Sequence, residues 1–253
     1  MQSDAQSSQE TTKSTIEEIR ERFDRDVERF SNLETGQTST IDAPLSMELI
    51  TQAAARANPN ARRILDIGCG AGNNTLKLLQ LIQPAECHLL DLSMPMLERA
   101  EARIRSVTEA EVSVFQSDLR VAPLQEGVYD IVIAAAVLHH LRDDADWEHA
   151  FQKIFDALAP GGSFWITDLV AHEGVAVSEL MTERYSDYLV SVGGDAYRDK
   201  VFAYIEVEDT PRSVTYQIEL MRRVGFTQID VLHKHTAFAA FGGVKPGFGA
   251  SLS

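Results

Sequence analysis

The chain has 253 residues and a mass of 28.0 kDa, long enough for one domain with a sizeable core. Its 44% hydrophobic and 24% charged residues, with 15 Gly and 8 Pro, exclude collagen-like, low-complexity and wholly disordered classes. With 23 Lys and Arg against 38 Asp and Glu, the net charge of −15 disfavours nucleic acid and anionic membranes as partners.

The first 15 residues are rich in Ser, Gln and Thr, lack a basic region followed by an apolar run, and read as a disordered tail. Ile16, Ile19, Phe23, Val27 and Phe30 recur at three- and four-residue intervals, which predicts an amphipathic helix. A polar connection over Leu33 to Thr40 and a second helix over Pro44 to Arg56 follow, so residues 16–56 form a helical cover ahead of the main domain, 57–245. No stretch is apolar for long enough to cross a membrane. Cys69 and Cys87 read as reduced thiols in a cytoplasmic protein.

From Arg62 short apolar runs alternate with helical stretches, the pattern of a doubly wound α/β fold. Strands are expected at Arg63 to Ile67, Glu86 to Leu90, Glu111 to Phe115, Tyr129 to Ala134 and Ser163 to Thr167. Helices are expected around Thr75 to Ile82, Met94 to Arg105 and Trp147 to Leu158. Residues 173–207 read as a helical insertion carrying Tyr185, Tyr188, Tyr197, Phe202 and Tyr204, either as its own core or as a wall over a ligand crevice. A further helix is expected with Thr210 as N-cap, Pro211 at its first position and Gly225 as its stop. Gln228 to Leu232 and Thr236 to Phe241 then form a pair of strands around His233 to His235, and residues 246–253 are a tail.

The run Asp66-Ile67-Gly68-Cys69-Gly70-Ala71-Gly72 is a strand entering a glycine loop. Asn73 stands where a dinucleotide fingerprint would need Gly or Ala, and Asp66 would repel a pyrophosphate. Asp91 and Asp118 end the next two strands, so three successive strand ends bring carboxylates to one sheet edge, which suits a positively charged nucleoside.

These residues, with Tyr129 to Val132, Leu138-His139-His140-Leu141 and Leu158-Ala159-Pro160-Gly161-Gly162, resemble the class I S-adenosylmethionine-dependent methyltransferases over about Arg62 to Lys245. The resemblance implies a Rossmann-like, seven-stranded, mostly parallel sheet with an antiparallel last strand. It implies S-adenosylmethionine as cofactor and a small-molecule methyl acceptor; a homodimer stays open. Asp66, Gly68, Cys69, Gly70 and Gly72 would hold the methionine part, Asp91 the ribose diol, and Asp118 the adenine amine. Leu92 and Leu119 would press on the adenine, with Ala134 and Ala135 near the sulfonium.

Imidazole titrates near neutrality, so His139 and His140 are the candidate catalytic bases. No metal site is expected: His233 and His235 could share a strand face but lack a third ligand in the sequence. The terminal Phe238 to Gly243 run and the insertion also resemble carboxy-S-adenosylmethionine synthases. The arginine with which those enzymes hold the extra carboxylate has its counterpart near Phe202, with Arg198 and Lys200 only in the neighbourhood. A module that binds the cofactor without catalysis is the other alternative.

Overall fold

The computed structural model describes residues 13–32 and 37–247. Most of the expected tail, residues 1–12, and the stretch 248–253 lie outside the described residues. Residues 13–15 are not a free tail. Thr15 caps the first helix by accepting from the Glu18 amide, while the Glu18 carboxylate accepts from the Thr15 amide.

The first predicted helix is two, α1 (Ile16–Arg25) and α2 (Val27–Ser31). The Asp26 amide donates three residues back to Phe23 O, which tightens the turn and redirects the chain. Helix α3 (Ala43–Ala57) follows, with Pro44 in its first turn.

The sheet runs through β1 (Arg63–Ile67), β2 (Glu86–Asp91), β3 (Glu111–Gln116), β4 (Tyr129–Ala135), β5 (Leu158–Leu169), β6 (Thr227–His235) and β7 (Phe238–Val244). Its order is β3-β2-β1-β4-β5-β7-β6, with β7 antiparallel to both neighbours. Helices α4 (Asn73–Leu78) and α5 (Met94–Arg105) cross between the first strands; α6 (Asp144–Ala157), α7 (Val175–Glu208) and α8 (Val214–Val224) serve the second half. Helix α4 starts and ends before the predicted Thr75 to Ile82, and a turn with Ile82 N donating to Leu78 O closes it.

Alternate side chains of the buried strands feed two apolar cores, as the period of two requires. Along β4, Val132 and Ala134 face Trp147, Phe151, Phe164, Phe226 and Phe241. Ile131, Ile133 and Ala135 face the other way, toward Ile50, Ala54, Leu78, Leu97 and Ile104. Strand β7 can lie between β5 and β6 because Gly242 has no side chain: a Cβ there would meet Phe164 O at 2.3 Å.

Other boundaries differ from the sequence reading: β5 already begins at Leu158 and α6 at Asp144. Helix α8 begins at Val214, and its cap is Ser213, whose hydroxyl accepts from Tyr216 N. Thr210, the expected cap, is drawn away by tertiary bonds, donating its amide to His139 O and its hydroxyl to Leu141 O. His233 to His235 belong to β6; the turn is made after them by Thr236, which holds φ +48°.

Among the described residues no helix is long and apolar enough to cross a membrane. Helix α7 is two helices joined at Gly194, whose φ of 78° and ψ of −179° break the spiral. Its aromatic residues are both core and wall. Tyr185, Tyr188, Tyr197 and Phe202 pack with Leu169, Leu189 and Phe238, and Tyr185, Tyr197 and Tyr204 also line the main cavity.

Candidate active site

The carboxyl ends of β1, β2 and β4 open into a cavity of about 600 Å³, covered by α1, α2, residues 37–40 and α7. At β1 the chain turns through Gly68 and Gly70, both at positive φ. A Cβ on Gly68 would meet Val137 at 2.6 Å, so the loop packs directly on the turn after β4. A Cβ on Gly70 would meet nothing within 4 Å, leaving open space where a ligand can approach the backbone.

Asp91, at the end of β2, fastens this loop. Its Oδ2 accepts from Gly70 N at 2.8 Å and its Oδ1 from Ser93 N at 2.9 Å. Burial pushes its pKa upward against those two bonds. Asp118 follows β3 and is held by Arg120, whose Nε donates to Oδ1 at 2.9 Å and Nη2 to Oδ2 at 2.6 Å. Burial opposes ionisation of Asp118, but the guanidinium outweighs it and holds the carboxyl below its ordinary range. Lys153 of α6 reaches under the same loop and donates to Leu119 O, Arg120 O and Ala122 O at 3.0, 2.7 and 3.3 Å.

Of the sequence-predicted residues, Gly68, Cys69, Gly70, Asp91, Leu92, Asp118, Leu119, Ala135, His139 and His140 all reach the cavity wall. Asp66, Gly72 and Ala134 stand behind it. Asp66 is 1% exposed, accepts from Thr75 Oγ1 at 2.7 Å, and leaves its other oxygen unpartnered. Burial pushes its pKa up to about 7. Its place is to brace the loop from inside, through Thr75 on α4. Burial likewise lifts the Cys69 thiol well above its ordinary value and Cys87 to about 12, so neither is an available thiolate.

The histidine pair occupies a short 3₁₀ turn, Leu138–His140, directly after β4. His139 Nδ1 is bonded to Asp168 Oδ1 at the end of β5, and its amide donates to Asp168 Oδ2 at 3.1 Å. Asp209, the residue after α7, closes the group: its Oδ1 lies 3.7 Å from His139 Nε2 and 3.3 Å from His140 Nδ1. Burial would lower the His139 pKa, but the charges of Asp168 and Asp209 override it and raise the group to about 9. Burial and the neighbouring His139 push His140 down. Burial would raise Asp209, yet the two imidazoles outweigh that and lower it.

Asp168 and Asp209 were not visible as site residues in the sequence. Asp168 was legible only as the last residue before the βα rhythm breaks, and Asp209 only as a residue between two helices. The expectation of no third group beside His233 and His235 is also corrected. Asp42, 191 residues before His233, accepts from His233 Nε2 at 3.0 Å and from His235 Nδ1 at 2.8 Å. Lys200 of α7 lines the cavity, whereas Arg198 pairs with Asp195 and Asp199.

Comparison with known proteins agrees with this geometry. Residues 64–162 match the methyltransferase domain family. The chain is 33% identical over 144 residues to a carboxy-S-adenosyl-L-methionine synthase of Aeromonas salmonicida, covering 54% of this chain and 55% of that one. It is 26% identical over 172 residues to a demethylmenaquinone methyltransferase of Lactococcus lactis, covering 66% of each chain. The chain thus spans between about half and two thirds of these curated relatives. Among solved structures, Haemonchus contortus phosphoethanolamine N-methyltransferase 2 in complex with S-adenosyl-L-methionine shares the fold, with a TM-score of 0.64 at 16% identity. That match covers 92% of this chain and 60% of the other. The methyltransferase-domain match over residues 64–162, with the glycine loop, the strand-end carboxylates and the sheet order, supports a class I S-adenosylmethionine-dependent methyltransferase.

Proposed function

We propose that this chain binds S-adenosylmethionine and transfers its methyl group to a small molecule held in the same cavity, in the cytoplasm and without nucleic acid or membrane as substrate. The observation that carries the reading is the convergence, on one cavity, of the open glycine loop, Asp91, Asp118 and the His139–His140 turn. The space beside Gly70 fits a ligand that must touch backbone. Asp91 fits a diol, since each of its oxygens already accepts one amide and retains capacity for a hydroxyl.

The cofactor, when bound, supplies an activated methyl group. The chain's task is placement. Asp91 holds the ribose, and Asp118 with Leu119 and Leu92 the adenine. The Gly68 to Gly70 backbone, braced by Asp66, carries the methionine part, and Ala135 leaves room at the sulfonium. His139 and His140 face the acceptor's reacting group, and the covering helices exclude water.

Titration calorimetry with S-adenosylhomocysteine tests this. One-to-one binding is expected, weakened about tenfold to a hundredfold in Asp91→Ala, because two hydroxyl contacts to a charged group are lost. Asp118→Ala should cost less, since Arg120 already neutralises that carboxylate. Absence of binding by the wild-type chain would refute the reading; binding without turnover on any acceptor would leave a cofactor-binding module.

A second reading is favoured by Lys200, a cation from the insertion on the cavity wall. It would suit a carboxylated form of the cofactor, as the name of the Aeromonas relative suggests. Mass spectrometry of the nucleoside that copurifies with the chain distinguishes the two: a carboxylated species, lost in Lys200→Ala, selects this reading.

A further inference from the structure

The cluster at the acceptor end of the cavity holds more unpaired polar capacity than a proton network needs. Among the described residues, Asp209 Oδ1, His140 Nδ1 and His140 Nε2 are buried without a hydrogen-bond partner. Two of these atoms point at each other across 3.3 Å without the alignment of a hydrogen bond. His139 Nε2 joins them at 3.7 Å from Asp209 Oδ1. The side chains are 10%, 14% and 3% exposed for His139, His140 and Asp209. Orphaned buried acceptors of this kind are costly and call for a partner.

The spacing identifies the partner's size. Nitrogen and oxygen ligands placed about 2.1 Å from a tetrahedral zinc ion are separated by about 3.4 Å from one another. The observed 3.3 and 3.7 Å bracket that value. All three donor atoms lie within 4.8 Å of one another. The second contact of His139 has the matching form: Asp168 takes Nδ1, the carboxylate arrangement that orients a metal-binding imidazole and leaves Nε2 for the ion. The carboxylates of Asp168 and Asp209 also supply negative charge that a divalent cation balances, with the imidazoles as neutral nitrogen donors.

We propose that His139 Nε2, His140 Nδ1 and Asp209 Oδ1 bind one divalent cation of the zinc class, and that its open position takes an oxygen of the methyl acceptor. The second part rests on the methyl-transfer reading; the first does not. An acceptor hydroxyl coordinated there loses its proton to water more readily. The resulting oxygen anion forms the new carbon–oxygen bond as the carbon–sulfur bond breaks, and the electron pair of that bond leaves with the sulfur, converting a sulfonium into a neutral thioether. The cation therefore assigns an oxygen nucleophile to the acceptor.

The test is Zn²⁺ uptake by the chelator-stripped full chain, read by equilibrium dialysis with elemental analysis, and the visible spectrum after Co²⁺ loading. One equivalent is expected, with four-coordinate cobalt bands. Uptake at that site should weaken at least about tenfold in His140→Ala and in Asp209→Asn. Asp168→Asn, which weakens the hold on His139 and removes a nearby negative charge without removing a ligand, should weaken it roughly tenfold to a hundredfold. His233→Ala with His235→Ala should leave that equivalent in place, because the imidazoles of that other cluster are already bonded to Asp42. Folding of each variant is checked by circular dichroism. The wild-type chain remaining free of Zn²⁺ and Co²⁺ would overturn the proposal, as would uptake that survives His140→Ala but disappears with His233 and His235. Zn²⁺ uptake without S-adenosylhomocysteine binding would keep the metal site and remove methyl transfer; the converse would keep methyl transfer and remove the metal site.

Discussion

Asp66 illustrates how one side chain is placed for its neighbours rather than for a ligand. The strand-end pattern marks it as acidic and close to the glycine loop, but sequence cannot tell the front of the loop from the back. The fold puts it behind, bonded to Thr75 and enclosed. With a folded-state pKa of about 7, well above that of an unfolded Asp, the native chain holds the proton more tightly than the unfolded chain. This contribution to stability is full below the ordinary carboxylate range and is lost as the pH rises through about 7. Asp66→Asn is therefore expected to raise stability by roughly 1–3 kcal/mol at pH 8 and far less at pH 4. Chemical denaturation at the two pH values checks this; equal effects at both would exclude the burial argument.

At the scale of elements, periodicity was enough where an element depends on its own residues. Met94 to Arg105 has a Ser cap and a Pro in its first turn, and its helix has the bounds the spacing predicts. The first five strands were legible because buried parallel strands are continuous apolar runs. Boundaries failed where distant groups compete for the backbone, as at Thr210, whose amide and hydroxyl are taken by His139 O and Leu141 O. The break in α7 was also hidden, because Gly193-Gly194 reads equally as a loop or as a tolerated pair. Gly194 occupies a backbone region that side chains rarely enter, although the space around it is open. Gly194→Ala should thus cost about 1–3 kcal/mol through backbone strain alone. A thermal melt unchanged by the substitution would show that the two segments can join as one continuous helix.

For the whole molecule, residues 13–22 meet α7 and Asp209 through polar contacts, whereas α3 shares an apolar core with the sheet through Ile50 and Ala54. Lys13 donates to Glu206 O and Asp209 O, Ser14 N to Val207 O, and Arg22 pairs with Glu208 and Tyr204. Such an assembly opens at lower cost than either sheet core. A chain lacking residues 1–32 should keep a cooperative melt and its sheet signature while releasing S-adenosylhomocysteine several-fold faster in stopped-flow displacement. Loss of cooperative folding would show instead that the cover is part of the core. The candidate site followed the same division. Its glycine-loop and strand-end residues were legible as neighbours because successive strand ends write them in order, whereas Asp168, Asp209 and Lys200 are assembled from segments that only tertiary structure brings together.

The three carbonyls gathered by Lys153 give α6 a second hold on a loop that Asp146 already ties to it through Arg120. An ammonium can be neutralised by acylation without any change in the chain's sequence, and the loop carrying Asp118 and Leu119 would then keep only the Arg120–Asp146 tie and its apolar packing. The Asp118 end of the cavity would in this way answer to chemistry on α6, at a residue that is no part of the cavity wall.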